Sequence, residues 1–343
     1  MAWSRGIMNR SAKMAVVICC LLVLMSCSEK KNTAVTDNPK VGMVLSVGGL
    51  GDKSFNDSAY RGLKKAEEEL SVDINLGQPA KMSEDKKYLS SFASMGCDLV
   101  IGVGFLMGAS ITDAAKLYPG TKFVIIDTVC EGENIKSLIF KEEEGSFLVG
   151  VIAALKTKTK HIGFVGGMKV PLIKKFELGY IQGARYIDPE IKVEITYAGS
   201  GQEAFHDPTK GELLADTLFS KGADIVFHAA GSTGNGVIKS AEKNKKFAIG
   251  VDSNQNYLAP GYVLTSMIKR VDTAVYFSIK ELKDGEFRPG PVALGLAEDA
   301  VGYALDEYNK DLLDAGIIEK VEQIKRDIIS GKIRINLEGA DED

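Results

Sequence analysis

The sequence predicts an α/β protein made of two doubly wound, Rossmann-like lobes joined by hinge strands, with a ligand cleft between them. Three observations lead there. Short runs rich in Val, Ile and Phe alternate with helical patterns along most of the chain, as βαβ units require. The runs are uniformly apolar rather than alternating, so both faces of each strand are expected to be covered, as in parallel sheets. They also fall into two consecutive series of similar length, and ~300 residues remain once the N-terminal leader is set aside, enough for two domains.

The leader comes first. Arg5, Arg10 and Lys13 precede an apolar run, Met14 to Ser26, shorter than the ~20 residues of a spanning helix. It ends in Leu24-Met25-Ser26-Cys27, so residues 1–26 read as a signal peptide and Cys27 as a lipidation site resembling the bacterial lipobox. The alternative is an ordinary secretory signal cleaved nearby. Two or more acyl chains anchor a protein stably, here to the outer, extracytoplasmic side of the cell membrane. Residues 27–40 are polar and aperiodic and read as a flexible tether. Loss of the leader takes three positive charges and no acid, moving the formal charge from −4 to −7, so nucleic acid is not an expected partner. Cys97 and Cys130 remain in the body. One disulfide is compatible with the sequence but not implied, and Cys97, just before an apolar strand, reads as a buried free thiol.

The first series predicts strands at 41–47, 72–76, 98–103, 122–127 and 136–140, with helices near 56–70, 84–95 and 106–117. A helix at 142–157 separates the series; it starts Glu142-Glu143-Glu144 and ends among Lys156, Lys158 and Lys160, matching its dipole at both ends. The second series predicts strands at 161–166, 191–197, 224–229, 247–251 and 262–267, with helices near 172–186, 209–221, 235–244 and 271–284. Asp207-Pro208 is a capping carboxylate before a proline at the first helical position. Beyond 262 the elements are too few for a third lobe and are expected to cross back. The first lobe is expected over 41–140 plus 268–290, the second over 141–267 plus 291–335, and an acidic tail over 336–343.

Ligands of open parallel sheets sit outside the carboxyl ends of the strands, so the residues just after the strands carry the functional expectation. After the first strand come Ser46, three glycines, Asp52, Phe55 and Asn56; the fourth ends in Asp127, and the last strands of the second series lead to Gly231, Asp252 and Lys269. Ionised Asp127 and Asp252 accept only, and suit a ligand rich in hydroxyl or N–H donors, unless each merely caps its turn. Gly231 opens GSTGNG, a nest for an anion or hydroxyl oxygen or simply a tight strand-to-helix connection; it lacks the GK[ST] ending of a phosphate loop. Phe55, Phe205 and Phe227 are each core residues or cleft rings, and two rings across a cleft would sandwich a flat base. Lys269 is a ligand-reaching cation or half of a solvated basic pair with Arg270, and His228 is a cleft residue or a structural one. The histidines show no metal-ligand spacing, and neither GxSxG nor HExxH occurs, so neither metal nor catalytic chemistry is expected.

"GLGDKSFND", "FVIID", "EEEGSFLVG", "IGFVGGM", "FHAAGSTGNGVI", "IGVD" and "LTSMIKR" together resemble the basic membrane protein (Bmp) family of substrate-binding lipoproteins, which includes purine nucleoside receptors of ABC importers. The resemblance implies a type I periplasmic-binding-protein fold and no cofactor. It also implies a monomer that holds a nucleoside of the adenosine, guanosine or inosine type and works with a membrane permease and its ATPase. On matching positions it makes Phe55 and Phe227 the rings that hold the purine, Asn56 and Asp127 polar lining, and Gly231, Asp252 and Lys269 the ribose set. Many purine-binding members carry TD-x-GG-x-DDKSFN after the first strand, whereas this chain has Ser46 and Gly51 in place of two of those aspartates. The other readings are a receptor for another polar metabolite such as a sugar or flavin-like compound, a surface adhesin or antigen, and a nucleoside-cleaving enzyme.

Overall fold

The computed structural model describes residues 38–340. The expected leader, Cys27 and most of the tether lie outside those residues. Strands β1 (Lys40–Val44), β2 (Asp73–Gly77), β3 (Leu99–Gly102), β4 (Lys122–Ile126) and β5 (Ile135–Phe140) alternate with helices α1 (Phe55–Leu70), α2 (Asp85–Ser94) and α3 (Gly108–Leu117). Helix α4 (Glu142–Lys156) leads to β6 (His161–Met168), β7 (Lys192–Gly199), β8 (Ile225–Ala229), β9 (Phe247–Asp252) and β10 (Val263–Lys269). Between them lie α5 (Pro171–Ile187), α6 (Pro208–Ser220) and α7 (Thr233–Asn244); the chain closes with α8 (Val271–Lys283), β11 (Gly290–Leu294), β12 (Val301–Tyr303) and α9 (Ala315–Ile329). The Asp207 carboxylate accepts from the Lys210 N–H at 2.9 Å, with Pro208 opening α6, as that dipeptide predicts.

The strands form two six-stranded sheets, ordered β11-β5-β4-β3-β1-β2 and β12-β10-β9-β8-β6-β7. All pairs are parallel except the short edge pair β10–β12. Along β1, Val41 and Met43 enter one buried cluster and Val44 another; along β3, Leu99 and Ile101 oppose Val100 in the same way. Coverage of both faces is why these strands lack polar alternation. β1 runs in step with β2 and β3 as far as Val44, Gly77 and Gly102, so the segments after them leave from one edge of the sheet.

The backbone passes between the sheets after Phe140, after Lys269 and after Leu294. The last two places differ from the expected boundaries. β10 stays paired with β9 to Ile268 opposite Asp252, so residues 268 and 269 belong to the second sheet. Gly290–Leu294 pairs with β5 and is an edge strand of the first sheet. Pro291 fits there because an edge strand tolerates a residue that cannot donate.

Candidate functional site

The carboxyl ends of both sheets enclose one cavity of about 960 Å³, counting the part that opens to solvent. Nine of the ten sequence-derived ligand residues line it: Ser46, Asp52, Phe55, Asn56, Asp127, Phe205, Gly231, Asp252 and Lys269. They come together because each ends a strand, follows one, or opens the next helix.

The mouth of α1 is held by its own side chains. The Asp52 carboxylate accepts from the N–H groups of Ser54 (2.9 Å), Asn56 (2.8 Å) and Asp57 (3.1 Å), satisfying donors that a helix start leaves orphaned. Burial raises its carboxyl above the usual range, partly offset by those three N–H groups. Asn56 Oδ1 accepts from the Ser46 N–H at 3.0 Å and the Ser46 hydroxyl at 2.9 Å. A backbone N–H can only donate, so the amide orientation is settled and Nδ2 is left as a donor with no acceptor among the described residues.

Lys269, 1 % exposed, forms the charged end. Its Nζ donates to both Asp127 oxygens at 2.7 Å, lies 3.0 Å from Glu142 Oε1, and stands 5.2 Å from the ring centre of Phe55 and 5.7 Å from that of Phe176. Burial pulls the ammonium down, but Asp127, Glu142 and Asp252 outweigh it and keep Lys269 charged. Burial pushes the Asp127 carboxyl up to about 6 against the opposing pull of Lys269, with Glu142 adding to the rise. Asp252 is likewise pushed to about 6 by burial, opposed by Lys269 and by the Ser54 hydroxyl that donates to Oδ2 at 2.6 Å. Asp127 and Asp252 have φ of 75° and 61°, a left-handed backbone that costs a non-glycine residue ~1–2 kcal/mol. Gly231, at φ 54°, has no room for a side chain: a Cβ there would stand 2.7 Å from the Phe205 carbonyl oxygen.

The tenth residue is misplaced by the sequence reading. Phe227 is fully buried, with ring centres 5.5 Å from Phe164 and 5.2 Å from Tyr180, and it packs in the core beneath the site. β8 runs two residues past it, so Phe227 points into the helix layer instead of emerging at the strand end. The cavity rings are Phe55, Phe105, Phe176 and Phe205. Phe105 and Phe205, from opposite lobes, meet edge to face at 6.4 Å. Phe105 comes three residues after the end of β3, where a strand-end reading could have found it, whereas Phe176 sits inside α5, where its spacing is that of any core residue. Asp85 and Gln202 also line the cavity without having been singled out. His228 is wholly buried and pushed down to about 3 by burial, hence neutral, and does not line the cavity.

The lobes are closed on each other. Ser54 donates to the Val251 carbonyl at 3.1 Å, Ser253 to the Ser54 carbonyl at 2.8 Å, and Asn235 Nδ2 to the Asp52 carbonyl at 3.2 Å. Cys97 and Cys130 are both free thiols. Among the described residues no His, Cys, Asp or Glu cluster is placed to hold a metal ion, and no helix is long and apolar enough to cross a membrane.

Residues 39–338 match the family model described as ABC transporter substrate-binding protein PnrA-like (Bmp). The chain is 34% identical to a Lactococcus lactis protein named ABC transporter nucleoside-binding protein BmpA, covering 94% of this chain and 97% of the relative. It is 37% identical to a protein of Pyrococcus abyssi named as an uncharacterised lipoprotein, covering 77% and 68%. Among solved structures, an ABC transporter solute-binding protein from Aeropyrum pernix K1 superposes with a TM-score of 0.80 at 30% identity, covering 86% of this chain and 92% of the other.

Proposed function

The chain belongs to the PnrA-like (Bmp) family of ABC transporter substrate-binding proteins, and from that premise we propose that it binds a purine nucleoside between its lobes and delivers it to a membrane permease. Members of this family bind a solute and do not transform it. The carrying observation is the lining of the cavity between the sheets: Lys269 with its carboxylates at one end, the rings of Phe55 and Phe176 beside them, and Phe105 and Phe205 facing each other from opposite lobes. In the first sheet Asp127 follows β4 and Ser46 follows β1, two strands away; in the second, Lys269 and Asp252 end β10 and β9 while Phe205 follows β7 at the far edge. The ribose hydroxyls are to be placed at the charged end, where Asp127 and Asp252 accept and Lys269 and the Gly231 backbone donate. The base goes between Phe55 and Phe205, the role that the sequence resemblance had assigned to Phe227. Stacking is worth ~1–3 kcal/mol per base in other proteins.

A lipid on Cys27 would tether the protein outside the membrane, in line with the lipoprotein name of the Pyrococcus relative. Closure by hinge motion at the three crossings would present the loaded form to the permease and its ATPase. Thermal melting of the purified protein against adenosine, inosine, guanosine, the free bases and ribose tests the binding claim. A nucleoside at 100 times its dissociation constant should add ~2.7 kcal/mol of stability. Melting temperatures unmoved by every nucleoside would overturn the reading, and a shift with ribose as large as with inosine would remove the base from it.

A further inference from the structure

We propose that Asp85 is the specificity-determining residue of the base end: its carboxylate demands an N–H donor on the ring edge it faces. The proposal rests on the nucleoside reading and deepens it. Asp85 is 4 % exposed, lines the cavity, and opens α2 after the β2 edge of the first sheet. Its Oδ1 is taken by the Ser110 hydroxyl at 3.1 Å and by the Lys86 N–H, which hold the group in place. Oδ2 accepts from no group among the described residues. With Oδ1 occupied and the residue lining the cavity, Oδ2 is the oxygen left to take a donor from the ligand.

The placement matches. From β4, which Asp127 follows, to β2 there are three strand spacings, about 14 Å across the sheet. A ribose held at Asp127 therefore leaves its base extending toward Asp85. The other polar groups at that end cannot do the same work. Asn56 offers only its Nδ2 donor, because Ser46 occupies its oxygen twice. Gln202, with a buried and unpartnered Oε1, can turn its amide either way and so accepts or donates as the ligand requires. An ionised Asp85 accepts only, and therefore it alone refuses a ring edge that lacks a donor.

Three ribosides separate the possibilities. Inosine carries N1–H and adenosine carries N6–H₂, whereas purine riboside has the same ring and sugar with no donor at either position. Isothermal titration of the protein should find purine riboside at least about tenfold weaker than the better of the other two. In Asp85→Ala that gap should close, and in Asp85→Asn, whose amide can donate to N1, purine riboside should gain while the preferred nucleoside loses. A melting curve in the absence of ligand reports folding, and Asp85→Asn keeps the size of the side chain should Asp85→Ala fail to fold. If the wild type binds inosine and purine riboside equally, or discrimination survives in Asp85→Asn, the assignment of Asp85 falls while nucleoside binding stands. If the wild type binds none of the three, the nucleoside reading itself falls.

Discussion

Lys269→Met should destabilise the protein by ~3–5 kcal/mol at neutral pH, as removal of one partner from a buried ion cluster typically does. Methionine fills much the same space, so the loss is electrostatic. Without the ammonium, Asp127 and Glu142 lose the cation 2.7 Å and 3.0 Å away, and burial drives the Asp127 proton back on. The deficit should therefore depend on pH. In the wild type the Asp127 and Asp252 carboxyls already stand at about 6, above the 3.8 of an unperturbed aspartate. A carboxyl raised on folding adds stability that is fully present below its unfolded value and lost as pH rises through its folded one. Removing Lys269 raises both further, so the gap between variant and wild type should be widest above pH ~6 and should shrink toward pH 4. Urea unfolding at pH 7.5 and pH 5 measures it. A deficit equal at the two values would mean that packing, not charge, was lost.

Asp252→Asn should weaken nucleoside binding by about ten- to a hundredfold while the protein stays folded, since a hydrogen bond to a charged group contributes ~1.5–3 kcal/mol. Asparagine is the informative replacement because it tolerates the left-handed backbone at φ 61°, where alanine would add strain of its own. Its amide keeps an oxygen to accept from Ser54 but cannot act as a charged acceptor for ribose. Because burial holds the wild-type carboxyl at about 6, nucleoside affinity should be flat above pH 7 and fall below pH ~6 as Asp127 and Asp252 take up protons. Titrations from pH 5 to 8 read both effects. Unchanged affinity in Asp252→Asn would remove this residue from the ribose end.

The site was legible where it follows the topology of the sheet. Ser46, Asp127, Gly231, Asp252 and Lys269 line the cavity because they come immediately after or at the ends of strands, and strand ends show in the sequence as apolar runs breaking into glycines and acids. Phe227 was misassigned because one apolar run does not reveal its last residue, and a strand two residues longer turns a cleft position into a core one. Phe176 and Asp85 left no local trace. The first is one apolar residue on an amphipathic helix, and the second reads as a favourable acid in a first turn.

The α/β alternation, the two series of buried parallel strands and the edge on which polar residues gather follow from the residues along the chain, because hydrophobic periodicity and strand-end chemistry are local properties. Which residues meet across the cleft is set by the folded chain: Lys269 on Asp127, Phe105 on Phe205, Ser54 on Asp252, each pair more than 90 residues apart. The fold also returns β11 to the first sheet and brings Asp85 into the cavity lining with donors on Oδ1 alone. Those are contacts between distant segments. Their energies depend on burial and on the partner opposite, and neither is written in the neighbourhood of a residue along the chain.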